Sequence, residues 1–349
     1  MANPSEPQTT LTIPVEIGSA FTSAFSQSEK AQQGYIAVWQ KATEVLSRRR
    51  LSLDDSIVEI RVDWSPVVRR LRLEYRADNE YRLASSQEER EDALELYKIE
   101  PIRLNFNVDI LFDKRPSSHI HFYAHFIEYY LYDLFLIMNI SYPGSCNFRN
   151  VVVNPENQFS SNINLDNYRF DFSWSNSKQI WPKINNIDID IVIDWMNKVR
   201  GTLRMISKSR SEKALFAVLH ICRMEPSPSS IIWIFYALES LFDTKTGENF
   251  RALVGRISLL LSPDQEQTKS MKKKLRELYD LRSSFVHGGL EVIHPMHNEL
   301  FDKRVDELFG RLIDTTDFGF QIIIASIQSI ISRKWIEPDF GETLSGLPL

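Results

Sequence analysis

Apolar positions along the chain follow a helical period, then a period of two, then a helical period again. Over Glu29–Arg50, Tyr35, Val38, Trp39, Ala42, Val45 and Leu46 predict a helix with a basic finish at Arg48-Arg49-Arg50. Alternation follows: Val58, Ile60, Val62 and Trp64 are separated by Glu59, Arg61 and Asp63. Leu71, Leu73 and Tyr75 alternate with Arg72, Glu74 and Arg76, and Leu104, Phe106, Val108, Ile110 and Phe112 repeat the pattern. Tyr168, Phe170, Phe172 and Trp174 do the same. Such runs predict half-buried strands, one face in a core and one in water. An acidic helix over Ser86–Lys98 and an aromatic helix over His121–Met138 interrupt them, and the first ten residues read as a disordered tail. Residues 1–184 are therefore expected to form an α+β domain on an antiparallel sheet.

Beyond Ile187 the strand signals stop. Asp188 or Asp190 can cap a helix passing through Trp195 and Val199 toward Met224, with a break near Ser207–Ser211. Pro226-Ser227-Pro228-Ser229 precedes a helix over Ile231–Phe242, and others follow over Asn249–Leu261, Gln265–Val286 and His297–Arg333. Residues 185–349 thus predict an all-α bundle of five or six helices.

Composition narrows the function. The 349 residues carry a formal charge of −5, which argues against a broadly basic surface that coats nucleic acid but allows a local basic cleft. Cys146 and Cys222 are too few for a disulfide framework and read as reduced core residues of a cytoplasmic protein. Met1–Thr10 lacks the regions of a signal peptide. Phe122–Tyr142, with His125, Glu128 and Asp133, is too polar for a membrane span, and Phe318–Ile331 is too short, so no membrane partner is expected. No phosphate-cradling glycine motif and no Cys/His zinc set occurs, so neither cofactor nor metal is expected. His119, His121 and His125 with Glu128 have partial metal-like spacing and read as a polar entry to the aromatic helix.

The candidate chemistry lies in Tyr279-Asp280-Leu281-Arg282-Ser283-Ser284-Phe285-Val286-His287-Gly288-Gly289. A guanidinium can hold a phosphate through parallel hydrogen bonds, and an imidazole can move protons near neutral pH. Leu275, Leu278, Leu281 and Phe285 form the apolar stripe, leaving Lys272, Lys273, Lys274 and Arg276 outward as a candidate RNA-binding rim. On an ideal helix Arg282 and His287 point about 140° apart. Sharing a face within one chain would require the glycine stop to unwind the last turn. On spacing alone, a helix-end His and a surface Arg that merely cap carbonyls explain the motif better, and it is the surrounding pattern that favours catalysis.

The order of features resembles a HEPN domain of the Apea-like branch. The resemblance rests on Ala237-Leu238-Glu239-Ser240-Leu241-Phe242, on Phe250-Arg251 through Arg256 with Leu259-Leu260-Leu261, and on the Arg-x4-His string ending in Val286-His287-Gly288. It covers roughly Ile187 to Lys334. The resemblance implies a homodimer whose motif helices face each other and a metal-independent endoribonuclease serving antiviral defence, abortive infection or growth arrest as a toxin. His287 from each copy would act as general base and general acid, and Arg282 would stabilise the phosphorane. Ser283 stands where many catalytic relatives have Asn, Asp or His, and its hydroxyl can still hydrogen-bond as a supporting group. Gly288-Gly289-Leu290 replaces the tyrosine of relatives modified by a nucleotidyltransferase. Glu239, on an apolar helix, reads as a partner of Arg256 or Arg282. The first domain would sense a phage or regulatory trigger. A different class stays open: a non-catalytic HEPN module acting as adaptor or sensor through dimerisation or binding.

Overall fold

A computed structural model describes residues 9–18, 29–53, 56–95, 100–114, 120–157, 160–201, 203–223, 228–244, 250–294 and 303–341. The chain divides into two compact units, Met1–Asp171 with Asn186–Met205, and Phe172–Asn185 with Ile206–Leu349.

The first unit holds a six-stranded sheet of β1 (Thr9–Ile17), β2 (Arg48–Leu53), β3 (Ser56–Arg61), β4 (Ile102–Asp113), β5 (Phe148–Val153) and β6 (Ser161–Leu165). Their order is β2-β3-β4-β1-β5-β6, and every pairing is antiparallel. The expected N-terminal antiparallel sheet is present, with two changes of element type. Leu71, Leu73 and Tyr75 lie in helix α2 (Ser65–Leu83), which starts with Pro66 in its first turn and buries Val67, Val68, Leu71, Glu74, Ala77 and Asp78. That set has helical spacing, whereas Leu73 is 48% exposed. Tyr168, Phe170, Phe172 and Trp174 lie in helix α5 (Tyr168–Ser177), where the buried residues are Arg169, Phe170, Ser173 and Ser177. The alternation at both places was compositional accident.

Thr9 and Thr10, read as tail, open the central strand β1; residues 1–8 lie outside the described residues. Ile13, Val15 and Ile17 are fully buried, with Ile13 opposite Phe106 and Val15 between Leu104 and Val153. Helix α1 (Glu29–Val45) stops before the arginine triplet, which lies instead on edge strand β2. The acidic helix is α3 (Gln87–Glu95) and the aromatic one α4 (Ile120–Ser141). Trp39, Trp64, Phe106 and Tyr130 form an aromatic cluster in which the Trp64 indole donates to the Tyr130 hydroxyl at 3.1 Å. Each such ring pair adds about 0.5–1.5 kcal/mol beyond its buried area. Helix α6 (Ile189–Arg200), capped by Asp188, belongs to this unit although its periodicity continues into the helical half. Among the described residues no helix is long and apolar enough to cross a membrane.

The second unit is helical: α7 (Arg210–Cys222), α8 (Pro228–Leu241), α9 (Phe250–Leu261), α10 (Gln265–Val286) and α11 (Lys303–Ser332). The Asp264 carboxylate accepts from the Gln267 N–H at 2.8 Å and the Gln267 side chain accepts from the Asp264 N–H at 3.1 Å, a reciprocal cap that starts α10. Helix α11 packs against α8, α9 and α10. Gly319 permits the closest approach, since a Cβ there would meet Ile234 at 2.7 Å and Leu278 at 2.9 Å. Residues 172–185 are tied to the same helix. The Gln321 amide donates to the Ile180 and Pro182 carbonyls, and the Gln328 amide donates to the Asn185 carbonyl. Both cysteines are buried free thiols.

Candidate active site

Two helices of the second unit carry the motif side chains. Helix α8 buries Ile231, Ile234, Phe235, Ala237, Leu238 and Leu241, which leaves Glu239 half-buried at its border. Helix α10 buries Met271, Leu275, Leu278 and Leu281, and this stripe sets the direction of Arg282. The Arg282 Nη1 lies 3.6 Å from Glu239 Oε1, with side-chain exposures of 36% and 39%. That separation is an ion pair without a hydrogen bond, so the guanidinium N–H groups stay available. The Arg282 guanidinium carbon sits 5.2 Å from the centre of the Phe235 ring. Phe235 and Glu239, four apart on α8, therefore hold the arginine from one helix face. Phe235 escaped the sequence reading, although its spacing from Glu239 was the available signal.

Of the two partners considered for Glu239, Arg282 takes the position. Arg256 instead donates to the Phe242 and Asp243 carbonyls and lies over the Phe340 ring.

His287 closes α10. Its φ of −97° and ψ of 10° lie in the bridge region, its N–H still donates to the Ser283 carbonyl at 3.0 Å, and the reversal occurs one residue later at Gly288, with φ of 71°. The Gly288 N–H donates to the Phe285 carbonyl at 3.3 Å and the Gly289 N–H to the Ser284 carbonyl at 2.7 Å. This is a Schellman closure, for which a glycine without a Cβ is favoured. The last turn does not unwind, so Arg282 and His287 keep their separation of about 140° and do not meet within one chain. His287 is exposed, and no hydrogen bond or ion pair holds its ring to another described residue. Ser283 is also exposed.

The basic residues occupy the middle of α10. Lys272 and Lys273 are exposed, while the Lys274 ammonium lies 4.8 Å from the Phe318 ring centre. Arg276 stacks over Phe250 at 4.3 Å and neighbours Tyr279 at 5.7 Å. From Lys274 to Arg282 the helix rises about 12 Å, so the rim and the motif are adjacent but separate.

Other histidines lie elsewhere. His294 is exposed beyond the motif, and His297 and His119 fall outside the described residues. His125 pairs with Glu128 at 3.2 Å on α4. Among the described residues no group of three or more His, Cys, Asp or Glu side chains is arranged to hold a metal ion. Compared with known proteins, the chain matches no family model, no curated protein and no solved structure.

Proposed function

We propose that the chain is a metal-independent endoribonuclease of HEPN type, acting as a homodimer in antiviral defence or growth arrest. The observation that carries the reading is the state of the two motif groups. Arg282 is oriented by Glu239 and Phe235 with its donors unsaturated, and His287 presents an unengaged imidazole at a capped helix end. Because the two diverge within one chain, the reactive cleft is composite and takes a second copy with α10 facing α10. There one His287 removes the proton from a ribose 2′-hydroxyl, which attacks the adjacent phosphorus. Arg282 stabilises the charge that builds on the phosphorane oxygens. The partner copy's imidazolium protonates the departing 5′-oxygen, leaving a 2′,3′-cyclic phosphate and a 5′-hydroxyl. Lys272, Lys273, Lys274 and Arg276 attract the RNA backbone along the same helix, and Ser283 supplies a hydroxyl beside the arginine. The first unit carries the sensing of a phage or regulatory trigger.

The test is cleavage of total RNA and tRNA by the full chain in excess EDTA, with His287→Ala in parallel. Cleavage that leaves cyclic-phosphate ends and disappears in the variant is the expected result. Equal cleavage by both proteins would overturn the assignment of His287. The divergence of Arg282 and His287 favours a second reading, a non-catalytic dimerisation or binding module. RNA bound but left intact by both proteins is the outcome that selects it.

A further inference from the structure

The arginine triplet that ends the first helical pattern does other work. In the first unit, β2, α4 and α6 line an open cavity of about 490 Å³. Its charged lining is Arg48, Arg49, Arg50 and Arg200 against the single carboxylate of Asp133. Arg200 Nη1 contacts Asp133 Oδ1, and Arg49 Nη2 lies 3.6 Å from Asp133 Oδ2 and 3.3 Å from Asn197 Oδ1. One carboxylate thus faces two guanidinium groups whose side chains are only 7% and 14% exposed. Arg48 is matched from outside the cavity by Glu59 at 2.7 Å, and Arg50 is exposed. Four arginines thus gather at one cavity, Arg49 and Arg200 largely buried around Asp133 and Arg48 and Arg50 exposed.

A cleft lined largely by one sign of charge concentrates counter-ions and so favours an anionic ligand. Burial already pushes the Arg49 guanidinium below its ordinary value. The remaining wall includes Ile193, Met196 and Leu203, so the space is not merely an ion-sized hole. Its volume falls in the range of about 300–1,000 Å³ typical of small-molecule sites.

We propose that this cavity binds a phosphate monoester on a compact organic body, with Arg49, Arg50 and Arg200 receiving the phosphate and the apolar wall receiving the body. Guanidinium groups suit this task because their paired N–H donors match phosphate oxygens. The site stands independently of the nuclease reading.

Isothermal titration calorimetry of the full chain with AMP, glucose 6-phosphate, inorganic phosphate and adenosine tests the proposal. Binding of AMP or glucose 6-phosphate is expected, and the tighter of the two identifies the body as nucleoside or sugar. Arg49→Gln and Arg50→Gln should each weaken it by roughly 10-fold, the loss of one charge-assisted hydrogen bond. Arg50 is exposed, so its variant remains informative should Arg49→Gln fail to fold. Absence of heat from both esters at millimolar concentration overturns the proposal. So does undiminished binding in Arg50→Gln, adenosine binding as tightly as AMP, or inorganic phosphate binding as tightly as either ester.

Discussion

The guanidinium of Arg282 is held between a carboxylate and a ring, with Glu239 at 3.6 Å and the Phe235 ring centre at 5.2 Å. Both supports come from α8, so the arginine of α10 is aimed by a neighbouring helix and not by its own. Because the ion pair is about a third exposed, its role is orientation more than stability.

Glu239→Gln should therefore lower RNA cleavage by roughly 10-fold, equivalent to about 1.4 kcal/mol of transition-state stabilisation. Unfolding stability should change by less than about 1 kcal/mol. Cleavage rates and urea midpoints measured side by side check the separation. Unchanged cleavage would show that the carboxylate does not aim Arg282.

Gly319→Val probes the packing that brings α8 and α10 together. The added Cβ would lie 2.7 Å from Ile234 and 2.9 Å from Leu278, both in the core of the second unit. Overpacking of this kind costs about 1–3 kcal/mol. A lower urea midpoint is expected, and a midpoint equal to wild type would mean that α11 can withdraw without loss.

Asp133→Asn removes the carboxylate facing Arg49 and Arg200. Two buried guanidinium groups then lose the carboxylate between them, a change worth about 3–5 kcal/mol. Thermal unfolding should show the first unit destabilised. A neutral effect would mean that solvent reaches both arginines.

Glu74 gives the first unit a pH dependence. Burial pushes its carboxyl up to about 7, against the opposing pull of Arg70. A carboxyl whose folded value is raised contributes its stability below the ordinary glutamate range and loses it as pH rises through the folded value. Wild-type stability should thus fall between about pH 5 and about pH 8, while Glu74→Gln flattens that slope. Thermal melts across this window are the check, and identical slopes would exclude Glu74 as the titrating group.

Much of the fold was legible because burial imposes a period. The α10 stripe of Leu275, Leu278 and Leu281 and the β4 alternation of Leu104, Phe106 and Val108 each match one buried face in the structure. Leu71, Leu73 and Tyr75 misled because three alternating apolar residues also fit a helix when the middle one is left in water. Strand β1 was hidden by its position in a polar-looking terminus, although Leu11, Ile13, Val15 and Ile17 carry the alternation. At the candidate site, Arg282, His287 and Glu239 could be singled out by residue type and spacing. Which arginine Glu239 serves could not, since Arg256 and Arg282 are equally plausible in a linear chain.

Local chemistry thus determines the helices of the second unit, the glycine closure after His287 and the basic character of α10, because each depends on residues within a few turns of one another. The pairing of Arg282 with Glu239, the return of α6 to the first unit and the gathering of Arg49, Arg200 and Asp133 around one cavity required the folded chain. Those relationships join residues separated by 43 to 151 positions in the sequence. Only the packing of whole elements decides which distant charges meet, and no period along the chain encodes that choice.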